Sequence, residues 1–163
     1  MLNLIENLES SAEFISWKKN NKNSYFCSAF AIIESGQEPV WQLDYYDPDE
    51  DKVTGFIVKD KIEKQESEKA FKKAESKING VKREDIKINY DEAVKIAKNI
   101  LKKNYKSQKY SKIIAILQSL GQPLWNITML TEAFEIINIK ISSIDGKIIS
   151  RKKESLLKYK KDL

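Results

Sequence analysis

The sequence contains no histidine and a single cysteine, Cys27. Histidine is the commonest general base and a frequent metal ligand, so its absence removes most hydrolase sites and many metal centres. One cysteine cannot form an intramolecular disulfide or a thiolate metal cluster, which favours a reducing compartment. Cys27 lies in an apolar segment without an activating base, which predicts a buried structural thiol. These absences indicate a protein that is not an enzyme.

Glycine and long apolar runs are also scarce. Five glycines leave little room for a phosphate-binding loop or a nucleophile elbow, and neither motif occurs. The longest mostly apolar stretch, residues 25–33, is much shorter than the roughly 20 residues that cross a bilayer as a helix. Glu6, Glu9 and Glu13 stand where a secretory signal would be basic and then apolar. The sequence therefore predicts a cytoplasmic protein without membrane insertion, and no cofactor or metal is expected.

The strongest metal candidate is the acidic stretch from Asp47 to Asp51. Its alternate carboxylates could attract calcium. However, an EF-hand loop that begins at Asp47 would need glycine in place of Lys52 and glutamate in place of Val58. A solvated hairpin turn is the favoured interpretation.

An internal repeat is the most informative feature of the chain. Residues 18–43 match residues 102–127 at a constant offset of 84, without a gap and with nine of 26 positions identical. Two copies with so long a period indicate a duplicated unit of secondary structure and not a solenoid. The identical pairs are Lys18/Lys102, Lys19/Lys103, Asn20/Asn104, Lys22/Lys106, Ala31/Ala115, Ile32/Ile116, Ser35/Ser119, Pro39/Pro123 and Trp41/Trp125.

Each copy begins with a predicted helix. Leu4, Leu8, Ala12 and Ile15 recur at helical spacing before the cations at 18–19. In the second copy, Asn89 and Glu92 form a capping-box pattern ahead of an apolar stripe. The stripe of this second helix is Ala93, Ile96, Ala97, Ile100 and Leu101.

A β-rich region follows each helix. Strands are predicted over 25–35, from Trp41 and over 53–58 in the first copy, and over 112–119, from Trp125 and over 147–150 in the second. The second copy has 11 extra residues, enough for one more strand at 136–142. Residues 66–78 are predicted to form a linker helix that ends at Gly80.

The predicted fold class is therefore α+β, with two repeated units, each a helix packed on an antiparallel sheet. The predicted boundaries are 1–62 for the first unit, 63–87 for the linker and 88–163 for the second unit with a basic tail. Trp41 and Trp125 follow the buried phase of their strands, so a role in the core is favoured over a ligand pocket.

The second copy resembles the PepSY domain. The resemblance rests on the helix residues 91–93 and 96–97, the strand residues 123–125 and the hairpin 144–148, and residues 88–150 fit best. It implies a small domain with a helix against an antiparallel sheet, of a kind that is proposed to bind or restrain peptidases. By this resemblance we expect a non-catalytic binding or regulatory protein with a peptidase or another protein or peptide as partner.

The polar phase of the second strands is the candidate partner-binding face, since one sheet face should be partly wet. Strand addition at a sheet edge is the physical mode to expect for a peptide. A second copy of the chain, in a homo-oligomer, is another partner that the sequence allows. The residues of this face are Gln42, Asp44, Tyr46, Asn126 and Thr128.

Charge supports a second hypothesis. Residues 1–60 carry 5 Lys and Arg against 11 Asp and Glu, and residues 61–163 carry 24 against 13, which gives net charges of −6 and +11. The basic part could bind nucleic acid or another polyanion through Lys102, Lys103 and Lys106. A solvated helix face is favoured, because arginine occurs only as Arg83 and Arg151. The acidic and basic parts could also attract each other, within one chain or between chains.

Overall fold

The computed structural model describes residues 1–34, 36–70, 77–105 and 109–156. Over these residues the chain forms three α-helices, a short 3₁₀ turn at Arg83–Asp85 and one antiparallel sheet of nine strands. The α+β class is confirmed. The helices are α1 (Leu2–Glu9), α2 (Ala12–Asn20) and α3 (Tyr90–Asn104), and the strands are β1 (Tyr25–Glu34), β2 (Trp41–Asp47), β3 (Lys52–Val58), β4 (Ile62–Lys64), β5 (Glu68–Lys69), β6 (Tyr110–Ser119), β7 (Pro123–Thr131), β8 (Glu135–Ser142) and β9 (Ile148–Ser155).

The strand order is β4-β3-β2-β1-β6-β7-β8-β9, and β5 also pairs with β3. The chain therefore runs outward from the centre twice, first through β1 to β4 and then through β6 to β9. The two series meet where β1 pairs with β6, and we call this central pair the seam. Ala31 pairs with Ala115 across the seam, so the two residues of this one equivalent pair of the repeat lie opposite each other.

All three helices cover the same face of the sheet. Every second residue along the strands is buried against these helices, as expected for an antiparallel sheet with one covered side. Phe14 of α2 stacks against Tyr45 and Phe56, and Tyr90 of α3 contacts Trp41. The core therefore lies between the helices and one sheet face.

Both repeated tryptophans belong to this core, as predicted. Trp41 is 5% exposed and Trp125 is fully buried, with ring centroids 5.9 Å apart. The Trp125 indole donates a hydrogen bond of 2.8 Å to the carbonyl of Ile88. Because its one polar group is satisfied, the large ring can be buried without a desolvation penalty.

The second strands differ in register between the two series. Ala29 pairs with Leu43, whereas Ile113, which is 84 residues after Ala29, pairs with Met129 and not with Ile127. Trp41 and Trp125 thus each lie on the second strand from the seam, but their positions along the strand direction differ by two residues. The connection between β1 and β2 is also longer than that between β6 and β7. The duplication stays a prediction.

The first predicted helix is two helices. The chain breaks after Glu9, and Ser11 begins α2 by accepting a hydrogen bond from the Phe14 amide at 3.2 Å. A serine cap starts a new helix because it satisfies an otherwise unpaired N–H group. The break rotates the buried face, so Ile15 is 47% exposed and Trp17 is buried in its place.

Three further predictions are tested by the strands. Residues 66–70 are not helical, since Glu68–Lys69 form β5, and residues 71–76 of the predicted linker helix lie outside the described residues. The basic tail of the second unit begins as a strand, because β9 extends to Ser155. The strand predicted at 136–142 is confirmed as β8, but it is not an extra strand, because it holds the third place from the seam, as β3 does on the other side.

Candidate functional site

The sheet face opposite the helices carries the predicted partner-binding residues. We call it the open face, because none of the described helices packs on it. Its residues are mostly half-buried by their neighbours within the sheet, whereas the other face is almost fully buried. Gln42, Asp44, Asn126 and Thr128 all lie on the open face, in strands on either side of the seam.

Apolar side chains occupy the middle of the open face. Phe30 pairs with Ile116 and Ile32 with Ile114, so four apolar residues surround the seam. Ile32 is 50% exposed. An apolar group at the centre of a polar rim is the arrangement found in protein interfaces.

An acidic hollow lies on one side of this centre. The Ser28 hydroxyl and the Gln42 amide each donate a hydrogen bond of 2.7 Å to the Asp44 carboxylate. Gly55 makes room for them, because a Cβ atom there would lie 2.8 Å from the Gln42 amide nitrogen. Above them is a cavity of about 340 Å³, also lined by Gln65, Glu66 and Glu68. Burial raises the pKa of Asp44, and the two hydrogen bonds partly oppose that rise.

A polar hollow lies on the other side. The Asn138 amide donates to Asn126 at 2.6 Å and to Thr128 at 2.7 Å. A cavity of about 260 Å³ next to it is lined in part by Lys152 and Glu154 of β9. Lys140 extends the row of Asn126. The open face thus has an apolar centre between two hydrogen-bonded networks, one around the Asp44 carboxylate and one around the Asn138 amide.

Tyr46 is not an accessible member of this face, which corrects its predicted role. It is 5% exposed and packs with Cys27 and Ala70, and its hydroxyl donates a hydrogen bond of 2.7 Å to Asp51. Val53 and Ile78 pack against the same cluster. Cys27 in the same cluster is buried, as predicted, and burial raises its thiol pKa to about 12.

The acidic stretch at Asp47–Asp51 forms a hairpin turn, the favoured interpretation. Its carboxylates accept hydrogen bonds from the chain itself, for example Asp47 from the Asp49 amide at 2.9 Å and Asp49 from Asn23 at 2.7 Å. Over the described residues, no group of three or more Cys, Asp and Glu side chains is placed to hold a metal ion.

The predicted polyanion patch lies on the helix side. Lys102 and Lys103 are exposed in the last turn of α3, and Lys106 lies outside the described residues. Lys102 lines a cleft of about 790 Å³ between α3 and the connection after β1, together with Lys95 and Lys98. Glu34 and Glu38 line the same cleft, so its charge is mixed. Lys98 lies 5.2 Å from the ring centroid of Tyr110.

Several residues of the open face could not be chosen from the sequence. Ser28, Phe30 and Ile32 lie in a nearly continuous apolar run, which hides the alternation that marks a wet face. Asn138 lies in the strand that the repeat treats as an insertion. The identity of Ile32 with Ile116 was the available signal, since both lie beside the seam.

No family model matches the chain, and no curated protein matches it. One similar solved structure is a crystal structure of a "putative lipoprotein" from Clostridium difficile 630, with a TM-score of 0.51 and 15% sequence identity. The match covers 87% of this chain and 90% of that one. At this identity the likeness concerns the fold alone. Among the described helices, none is long and apolar enough to span a membrane.

Proposed function

We propose that this chain is a non-catalytic binding protein that holds a protein partner on the open face of its sheet. The observation that carries the proposal is Ile32, which is 50% exposed at the centre of a face that none of the described helices covers. Burying exposed apolar area is worth about 25 cal/mol per Å². Burying Ile32 together with the half-buried Phe30, Ile114 and Ile116 therefore favours a partner.

The two polar networks would supply specificity. Asp44 and Asn138 are each held by two hydrogen bonds to neighbouring side chains. Groups fixed in this way lose little conformational entropy when a partner binds, so their hydrogen-bonding geometry selects among partners. The resemblance of residues 88–150 to the PepSY domain makes peptidases the first class of partner to assay.

Capture from native lysate, with mass-spectrometric identification, tests the proposal. Ile32→Asp places a charge at the centre of the open face and should abolish capture. Ile15→Asp is the matched control, because Ile15 is 47% exposed on the helix side. Both variants should keep the melting temperature within a few degrees, since exposed substitutions usually cost under about 0.5 kcal/mol.

A second variant tests the polar residues, namely Gln42, Asp44 and Asn126 all replaced by lysine. It should also lose the partner. Capture that survives both variants would exclude the open face. Capture lost instead on neutralising Lys102 and Lys103, with a steep dependence on salt, would favour a polyanion ligand.

A further inference from the structure

The two sides of the open face differ in charge. Glu63 pairs with Ile57 and Glu68 with Val53, so both carboxylates share the open face with Asp44. On the other side of the seam, Lys140 and Lys152 lie on this face, with Glu154 beside Lys152. At the seam, Glu34 and Lys112 form an ion pair of 3.5 Å. The face is thus acidic beyond β1, neutral at the seam and basic beyond β6.

The apolar centre can cover itself in a twofold arrangement. Phe30 lies at the same height as Ile116 across the seam, and Ile32 at the same height as Ile114. A twofold axis that runs along the seam, parallel to the strands, therefore lays Phe30 over Ile116 and Ile32 over Ile114 of a second copy. One apolar patch then covers the same patch of the other chain, as an interface between identical subunits requires.

We propose that the open face binds a second copy of this chain. The inference rests on the proposed function, because it names the partner of the same face. The axis along the seam brings β7 over β2 and β8 over β3 of the other copy. Each acidic side then meets a basic side. Lys140 lies at the height of Ile57 and so comes next to Glu63 of the second copy, twice per dimer. A twofold axis perpendicular to the strands would instead place each acidic side over the acidic side of the second copy.

The size of the face agrees with this partner. Eight strands about 4.8 Å apart and about six residues long give an outline on the order of 700 Å². Stable interfaces bury about 800 Å² per partner. Two sheets can pack in this way about 10 Å apart, with their strands nearly aligned.

A charge exchange tests the arrangement by analytical ultracentrifugation. In a dimer of the Lys140→Glu variant, the new carboxylate of one copy lies next to Glu63 of the other, so two carboxylates repel. In a dimer of the Glu63→Lys variant, the new ammonium group of one copy lies next to Lys140 of the other, so two ammonium groups repel. Each variant alone should therefore dimerise at least about tenfold more weakly than the natural chain, as expected when an attractive charge pair becomes repulsive. In an equimolar mixture both contacts are attractive again, and the heterodimer should form with nearly the natural affinity.

Thermal melts establish that each variant is folded. If Glu63→Lys does not fold, Ile32→Asp replaces it and should be monomeric, while Ile15→Asp should remain dimeric. A natural chain that is monomeric up to about 0.1 mM, a hundred times a micromolar dissociation constant, overturns the inference. So does a dimer that both Lys140→Glu and Ile32→Asp leave intact. A monomer that loses a foreign protein on Ile32→Asp overturns the second copy as partner but supports the proposed function.

Discussion

Asp44 is a half-buried carboxylate that two neighbouring side chains hold in place. Burial disfavours its charged form and raises its pKa, whereas hydrogen bonds from Gln42 and Ser28 favour the charged form. Because burial is the larger effect, the folded chain binds a proton at Asp44 more readily than the unfolded chain does. The carboxylate is therefore kept at some cost in stability, as is common for groups that serve binding.

We expect Asp44→Asn to increase the free energy of unfolding at pH 7. A raised pKa in the folded state means that the natural chain loses stability as the pH rises above about 4, the value for an unfolded aspartate. The variant has no such loss, so the difference between the two chains should vanish as the pH falls to about 4. Urea melts at several pH values measure it. A variant that is less stable at pH 7 would show that the hydrogen bonds outweigh burial.

The buried tryptophans lead to a second prediction at this scale. Trp41→Ala and Trp125→Ala should each lower the free energy of unfolding by about 3–5 kcal/mol, the range for removing a large buried aromatic side chain. Trp125 should cost more, because its loss also leaves the Ile88 carbonyl without its hydrogen bond. Denaturant melts provide the measurement, and losses below about 1 kcal/mol would contradict a core role.

At the scale of elements, α3 depends on its cap. The Asn89 side chain accepts from the Glu92 amide at 2.9 Å, and the Glu92 carboxylate accepts from the Asn89 amide at 3.0 Å. Asn89→Ala should destabilise the protein by about 1 kcal/mol. Asn99→Ala makes the same change at an exposed position inside α3, where alanine should stabilise by a few tenths of a kcal/mol. Chemical denaturation of the two variants should therefore give opposite signs. Equal effects would deny the cap a role.

The elements that local chemistry specifies could be predicted from the sequence. The capping box of α3 satisfies N–H groups within four residues, so its pattern is visible in the chain, and the predicted pair of Asn89 and Glu92 is confirmed. The break between α1 and α2 could not be predicted in this way. Both helices have apolar residues at helical spacing, and the decision at Ser11 depends on burying Phe14 and Trp17 against β2 and β3.

The strands of the sheet could be predicted better than their places in it. Alternation gave β2 and β7, because each has one covered and one open side. The place of β8 next to β7 could not be deduced. It depends on pairing between residues that are separated in the chain, such as Ile139 with Ile127. The same limit applies to the candidate site. Gln42, Asp44, Asn126 and Thr128 were found by alternation, whereas Tyr46 packs with Ala70, which is more than twenty residues away in the chain.

For the whole molecule, the seam decides whether the two predicted units are independent. β1 and β6 pair along seven residues on each side, from Ser28 to Glu34 and from Gln118 to Lys112. Ala31 and Ala115 are fully buried there, and Trp41 contacts Trp125. Separating the units would expose two long apolar strand edges, which is a strong tendency towards aggregation. The structure therefore joins both series of strands into one continuous sheet.

We accordingly expect fragments 1–76 and 77–163 to fold only together. Each alone should lack a cooperative melt, because the hydrogen bonds and contacts of the seam would be missing. An equimolar mixture should recover the near-ultraviolet circular dichroism of the tryptophans, since Trp41 and Trp125 come from different fragments and their ring centroids lie 5.9 Å apart.

Ala31→Glu in the first fragment is the control: it places a charge against Ala115 in a fully buried position and should prevent reassembly. The contrary result would be a single fragment that melts cooperatively and has a near-ultraviolet spectrum of its own. The units would then be independent domains, and the seam would be an interface between them.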